Sequence, residues 1–171
     1  GDAYLAYIES RAAGDLALGP SGGGVALDPI RNDLGSDLGL GGPDDALLIG
    51  AAVQTGGGRL GGSLFWHDSS GSGSLASDFG DIAAGSLVRS DFEFLAVKAY
   101  WVWDLLEGEH YRLAPGFAVD FLDASSEVTA ISGVASESLE VFAPVPMLFV
   151  DGELRLGPVA LAAQLGGSTI A

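Results

Sequence analysis

Cysteine is absent from the 171 residues, and lysine and arginine together number only 7. Without cysteine the chain has no disulfides and no thiolate metal ligands. The few basic residues face 23 Asp and Glu, for a formal charge of −16. Binding of nucleic acid depends on basic side chains set against phosphates, so this balance excludes nucleic acid as a partner. A long apolar run is also missing. A membrane-crossing helix needs about 18 or more consecutive apolar residues. The best run, Ala46–Val53, is no longer than a strand, and Arg59 interrupts the next one. No basic stretch followed by an apolar one opens the chain, which begins at Gly1. The expectation is a removed signal peptide or a start inside a longer protein.

Despite its acidity the chain has a mean hydropathy of +0.36. Strong net charge ordinarily accompanies low hydrophobicity and disorder. Here the two properties occupy different segments: the acids lie mainly in Gly/Ser-rich stretches, the apolar residues in short alternating runs. Tyr111–Phe121, Y-R-L-A-P-G-F-A-V-D-F, shows the pattern best. Tyr111, Leu113, Phe117, Val119 and Phe121 fall on one side with Pro115. Arg112, Ala114, Gly116, Ala118 and Asp120 fall on the other. Side chains alternate faces along a strand, so this segment has one apolar wall and one small or charged wall.

The alternation predicts seven strands. The first is Ala3–Ser10, with either Leu5 and Tyr7 or Tyr4 and Ile8 outward. The second is Ala46–Gln54, with Leu47, Ile49, Ala51 and Val53 on one face. The third is Arg59–Asp68, with Leu60, Leu64 and Trp66 aligned and Phe65 an exception. The fourth, Asp91–Asp104, aligns Val97, Ala99, Trp101 and Trp103. Tyr111–Phe121 is the fifth. The sixth, Ser138–Val150, aligns Leu139, Val141, Ala143, Val145, Met147 and Phe149. Asp151-Gly152 has the composition of a two-residue hairpin turn. The seventh, Glu153–Leu165, aligns Val159, Leu161, Ala163 and Leu165.

The connections alternate long and short. Residues 11–45, 69–90 and 123–137 are long and polar; Thr55-Gly56-Gly57-Gly58, L-L-E-G-E-H and Asp151-Gly152 are short. Bacterial membrane barrels sort their loops in this way, with short turns at one end and longer loops at the other. The fold expected is therefore all-β: a single-domain, antiparallel up-and-down transmembrane β-barrel of about 8–10 strands when complete. Trp101, Trp103 and Tyr111 flank a short turn and Trp66 precedes a long loop, as two interfacial aromatic girdles require. Lys98, Arg112, Asp120 and Glu140 share the face of the small residues and are expected to form a charge network in the lumen. Arg59 and Arg155 are expected to reach water at a barrel mouth.

Three stretches carry a resemblance: D-L-G-S-D-L-G-L in the first long connection, R-L-G-G-S-L-F-W-H-D-S-S-G-S-G in the third strand, and S-D-F-E-F-L-A-V-K-A-Y-W-V-W-D-L-L-E-G-E-H-Y-R-L-A-P-G-F across the fourth and fifth. In their order the segments resemble a family of small outer-membrane β-barrel proteins of Gram-negative bacteria, a family without assigned activity. The resemblance implies residence in the outer membrane and contact with membrane lipid and lipopolysaccharide. Such barrels close with an even number of strands and end in an aromatic residue. This chain has seven readable strands and ends in Gly-Gly-Ser-Thr-Ile-Ala, so the expectation is a C-terminally incomplete barrel lacking one to three strands, or one that a protein partner completes.

Little in the sequence points to chemistry. His67-Asp68-Ser69 has the H-x-S spacing of outer-membrane lipid A deacylases, in which a histidine activates a serine. Here Ser70 stands where an asparagine is expected. His110, beside Glu109 in a short turn, is expected to be solvated. Asp28, Asp33, Asp37, Asp44 and Asp45 do not match a calcium loop, so diffuse screening by divalent ions is the expectation. The glycine runs at 22–24 and 56–58 lack the lysine of a phosphate loop and read as turns. Pro144 and Pro146 remove two ladder donors from one strand. No cofactor and no catalysis are expected, and the role is structural: an anchor or a surface-contact element. The alternatives are an outer-leaflet lipid-modifying enzyme using His67 and Ser69, a narrow channel for small solutes, and a soluble β-sandwich.

Overall fold

The computed structural model describes residues 1–16, 31–133 and 135–167. Its ten strands are β1 (Asp2–Ser10), β2 (Asp15–Leu16), β3 (Asn32–Asp33), β4 (Asp44–Thr55), β5 (Gly58–Ser74), β6 (Leu87–Trp103), β7 (Leu106–Glu107), β8 (Tyr111–Ala130), β9 (Ser136–Leu156) and β10 (Val159–Gly167). No helix occurs among the described residues. Seven strands form one antiparallel up-and-down sheet in the order β1-β4-β5-β6-β8-β9-β10, curled into a half-barrel. β7 adds a short pairing to β8, and β2 pairs with β3 separately. Among the described residues β1 and β10 each have a single neighbour in the sheet.

The sheet curls because its two faces carry side chains of different size. On the concave face Arg112, Ala114, Gly116 and Ala118 of β8 are all buried, while Tyr111, Leu113 and Phe117 on the convex face are exposed. Two concave glycines lie under tyrosines of the neighbouring strand: Tyr4 over Gly50 and Tyr100 over Gly61. A ring laid over a cross-strand glycine lets the sheet bend inward without leaving a gap. Tyr100 in turn meets Phe149 at 5.0 Å between ring centroids.

The strands are longer than the alternation predicts. β8 continues to Ala130 and β9 begins at Ser136, so most of the stretch expected as a third long loop, residues 123–137, is paired strand. β5 likewise runs to Ser74 and β6 begins at Leu87. Ser and acidic residues on one face masked the alternation, because the apolar partners (Val88, Val128, Ala130) face the concave side. The Asp151-Gly152 turn is also corrected. β9 passes straight through both residues, and the chain reverses at Gly157, whose φ of 62° suits a turn. Asp151 is drawn into the sheet by an ion pair described below.

The described part of the first long connection lies on the concave face. Residues 31–41 form a compact strap whose Leu34, Leu38 and Leu40 pack with Leu75, Phe79, Ile82, Val88 and Val128. Asp28 and the glycines at 22–24 lie outside the described residues. Asp33 accepts the backbone N–H of Ser36 at 2.7 Å and its hydroxyl at 3.1 Å, and these bonds hold the Asp33 carboxyl below the usual carboxylate range. A depressed folded pKa stabilises the turn above the unfolded value of about 3.9, and that contribution disappears as the pH falls through the lower folded value. The Ser36 amide resonance is therefore expected to titrate with a midpoint below that of an isolated aspartate. A midpoint at or above it would remove the bond from the folded state.

Candidate functional site

Two features of the half-barrel carry the functional argument: the character of its convex face and a charge cluster inside its lower end, the end of the short turns.

The convex face changes character partway along most of the strands. On β8 it reads Tyr111, Leu113, Pro115, Phe117, Val119, Phe121 and then Asp123, Ser125, Glu127, Thr129. On β6 it reads Trp103, Trp101, Ala99, Val97, Leu95 and then Glu93, Asp91, Arg89. On β5 Leu60, Leu64 and Trp66 give way to Asp68, Ser70 and Ser72. On β1 Leu5 and Tyr7 give way to Glu9, opposite Asp45 of β4. The concave face is mixed. Below the switch it holds Arg59, Lys98, Arg112 and Asp120 beside a buried cluster of Tyr100, Val102, Ala114, Ala118 and Phe149; above it, Val88, Val128 and the strap leucines form a second cluster. The convex face is thus apolar along its lower part and acidic and serine-rich above, while apolar packing inside runs through both parts.

The apolar part is long and open. Phe117, Leu148, Leu161 and Leu165 are 57%, 70%, 57% and 72% exposed. A contiguous convex band of this kind far exceeds the isolated apolar residues that a soluble monomer shows. From Tyr111 to Phe121 the band covers ten steps of about 3.4 Å; at a strand tilt of about 45° it stands about 24 Å tall.

All four girdle candidates, Trp66, Trp101, Trp103 and Tyr111, lie exposed on this face. Trp103 meets Phe117 edge to face at 5.6 Å. At the upper boundary the Trp66 indole N–H donates to Glu93 at 3.0 Å, and the Tyr7 hydroxyl interacts with the Asp45 carboxylate. Both rings hold an apolar body against the band and a polar tip against the acidic residues above it, the arrangement that amphipathic rings adopt at a wet boundary.

The charged residues expected in one network are divided. Lys98 pairs with Asp120 at 3.7 Å and lies 5.6 Å from the centre of the Phe149 ring. Arg112 lies lower and bridges two other carboxylates: Nε donates to Asp104 at 2.6 Å and Nη1 to Asp151 at 2.7 Å. Gln54 adds a bond to Asp104 at 2.5 Å. Glu140 does not join. It is exposed on the convex face opposite Ser125, because the β8–β9 register puts Leu139, Val141, Ala143, Val145, Met147 and Phe149 on the concave face. Placing Glu140 in the lumen implied the opposite phase for this strand; Phe142, Pro144, Pro146, Leu148 and Val150 take the convex face instead. Arg59 reaches Asp151 at 3.8 Å, and the exposed Arg155 pairs with Glu153 at 2.7 Å.

Sequence reasoning missed Asp104 and Asp151. The first ends the expected fourth strand, on the side of Lys98, and was not carried into the network; the second falls in a dipeptide that imitates a turn. The available signal was face: Asp151 is two residues from Phe149 and shares its side of the strand.

His67 and Ser69 sit on the concave face, both buried, and are not bonded to each other. His67 Nδ1 lies 2.8 Å from the Ser10 hydroxyl, and the Ser69 hydroxyl donates to Asp44. The pair therefore points away from the convex band. His110 is exposed, and its carbonyl accepts the Arg155 N–H. Among the described residues no three or more of His, Asp and Glu converge to hold a metal ion. No family model, no curated protein and no solved structure matches this chain.

Proposed function

We propose that the chain is an outer-membrane β-barrel protein whose convex band contacts lipid, and that its role is anchoring or surface contact rather than catalysis. The observation that carries this reading is the change of the convex face from apolar to acidic along the same strands. In water the exposed band is unfavourable at roughly 25 cal/mol per Å² of apolar surface. In a bilayer the same band is matched to the hydrocarbon, and the acidic and serine-rich part of each strand lies among headgroups or in water. The long loops and the strap stand on the outer side, and the short turns on the inner side. Closure by strands that pair with β1 and β10 belongs to the same reading, since unpaired backbone is not tolerated in lipid.

The test is refolding from urea into detergent micelles or liposomes. The folded protein is expected to migrate differently from the boiled one on a denaturing gel, and to aggregate when refolded without detergent. A monodisperse, folded protein in plain buffer would defeat the reading.

A further inference from the structure

The strap, residues 31–41, lies on the concave face without joining the sheet. Among the described residues no ladder connects it to β5. Its main chain comes close to that of β5 at three glycines. A Cβ added to Gly71 would sit 2.1 Å from the Gly39 carbonyl oxygen, and one added to Gly73 would sit 2.1 Å from that of Asp37. Gly39 itself has a φ of 75° and would put a Cβ 2.3 Å from the Ser72 carbonyl oxygen. Three glycines on two segments thus let main chain rest directly on main chain.

What holds the strap is a small apolar core, the short β3 pairing with β2, the Leu34 N–H bond to the Gly14 carbonyl at 2.9 Å, and one side-chain bond, in which the buried Asn32 carbonyl accepts the Ser77 N–H at 3.0 Å. Leu38 and Leu40 are fully buried in that core, on top of Val88 and Val128. Near it on the concave face lie Ser90 and Ser126, each 96% or more buried and with neither hydroxyl bonded to a protein group; His67, also buried with Nε2 unpaired, lies farther down β5, beyond Phe92. Ser90 is the cross-strand neighbour of Gly71, the residue on which the strap rests.

We propose that the strap is a gate. It lifts together with residues 14–16, which pair with it, from the glycine track of β5, breaking no pairing of the seven-stranded sheet, and admits solvent from the long-loop side to the polar patch of Ser90 and Ser126. The attachment favours this motion over fraying of the sheet, since a segment held by side-chain packing opens locally at lower free energy than one held in a continuous ladder. The small residues of the track are needed for close docking, and the patch is hydrophilic ground for whatever enters. The proposal concerns the upper end only and goes beyond the anchoring role.

Because the chain has no cysteine, one introduced thiol reports access directly. Ser90→Cys places it under the strap; Ser70→Cys, on the exposed convex side, is the reference. The probe is a charged maleimide applied to the folded protein in detergent. Ser90→Cys is expected to react at least about tenfold more slowly than Ser70→Cys, and about tenfold faster once Gly71→Val is added, as a lowered local opening energy requires. Leu38→Ser, which weakens the core without touching β5, is expected to have the same effect and decides the matter if Gly71→Val fails to fold. Equal rates for Ser90→Cys and Ser70→Cys in the parent would overturn the gate. So would an unchanged Ser90→Cys rate in folded variants of both kinds. Neither result depends on whether liposomes take up the protein, so the gate and the membrane reading fail separately.

Discussion

Arg112→Met is expected to lower folded-state stability by about 3–5 kcal/mol, the usual consequence of removing one partner from a buried ion cluster. The side chain is 6% exposed and stands between Asp104 and Asp151, themselves 10% and 4% exposed. Loss of the guanidinium leaves two buried carboxylates with weaker partners: Arg59, 3.8 Å from Asp151, and the Gln54 amide on Asp104. Arg112→Lys recovers part of the loss, since an ammonium is a point charge and cannot present the fork that reaches both carboxylates. Pairing Arg112→Met with Asp151→Asn is expected to cost less than the sum of the two single changes, because the second removes a charge that the first has stranded. Urea titration in detergent measures all three. A loss below about 1 kcal/mol for Arg112→Met, the level of an exposed pair, would show that water reaches the cluster.

Phe117→Arg separates lipid from water as the surroundings of the convex band. Phe117 is 57% exposed near the middle of the band. In water an exposed substitution of this kind moves stability by about 0.5 kcal/mol or less. In a bilayer an arginine at mid-depth costs about 2–4 kcal/mol. Phe117→Leu is the control, since it removes the edge-to-face contact with Trp103 without adding charge. Ser138→Arg, on the convex face of β9 among the acidic residues, is expected to change stability by no more than about 0.5 kcal/mol in either medium. If Phe117→Arg and Ser138→Arg have the same small effect in liposomes, the band does not face hydrocarbon.

The fold was legible wherever one face of a strand was apolar and the other was not. β4, the lower part of β5, β6 and the first half of β8 meet that condition, and their convex residues were assigned correctly from alternation. β9 does not. Leu139 to Phe149 alternate with Phe142, Pro144, Pro146 and Leu148, so both faces are apolar and only pairing with β8 fixes which is outward. The phase of β1 was open for the same reason, and pairing with β4 settles it with Leu5 and Tyr7 convex. Strand ends were hidden because the pattern inverts. Above the switch the polar residues face outward, and a reader following apolar residues on the convex side loses the strand at Asp123 or Asp68. The charge cluster was half legible: Arg112, Lys98 and Asp120 were placed inside, but their partners depend on register that no spacing within a single strand encodes.

β1 and β10 run in the same direction, since seven antiparallel strands separate the two edges by an even number of reversals. Brought together directly, the edges would meet as a parallel seam. A second copy in the same orientation would leave two such seams, because its own edges share that sense. Only an odd number of inserted strands gives a ring that is antiparallel throughout, and a single strand descending from the loop side would pair correctly with both rims. The parity of the sheet therefore selects against self-association as the route to a closed ring.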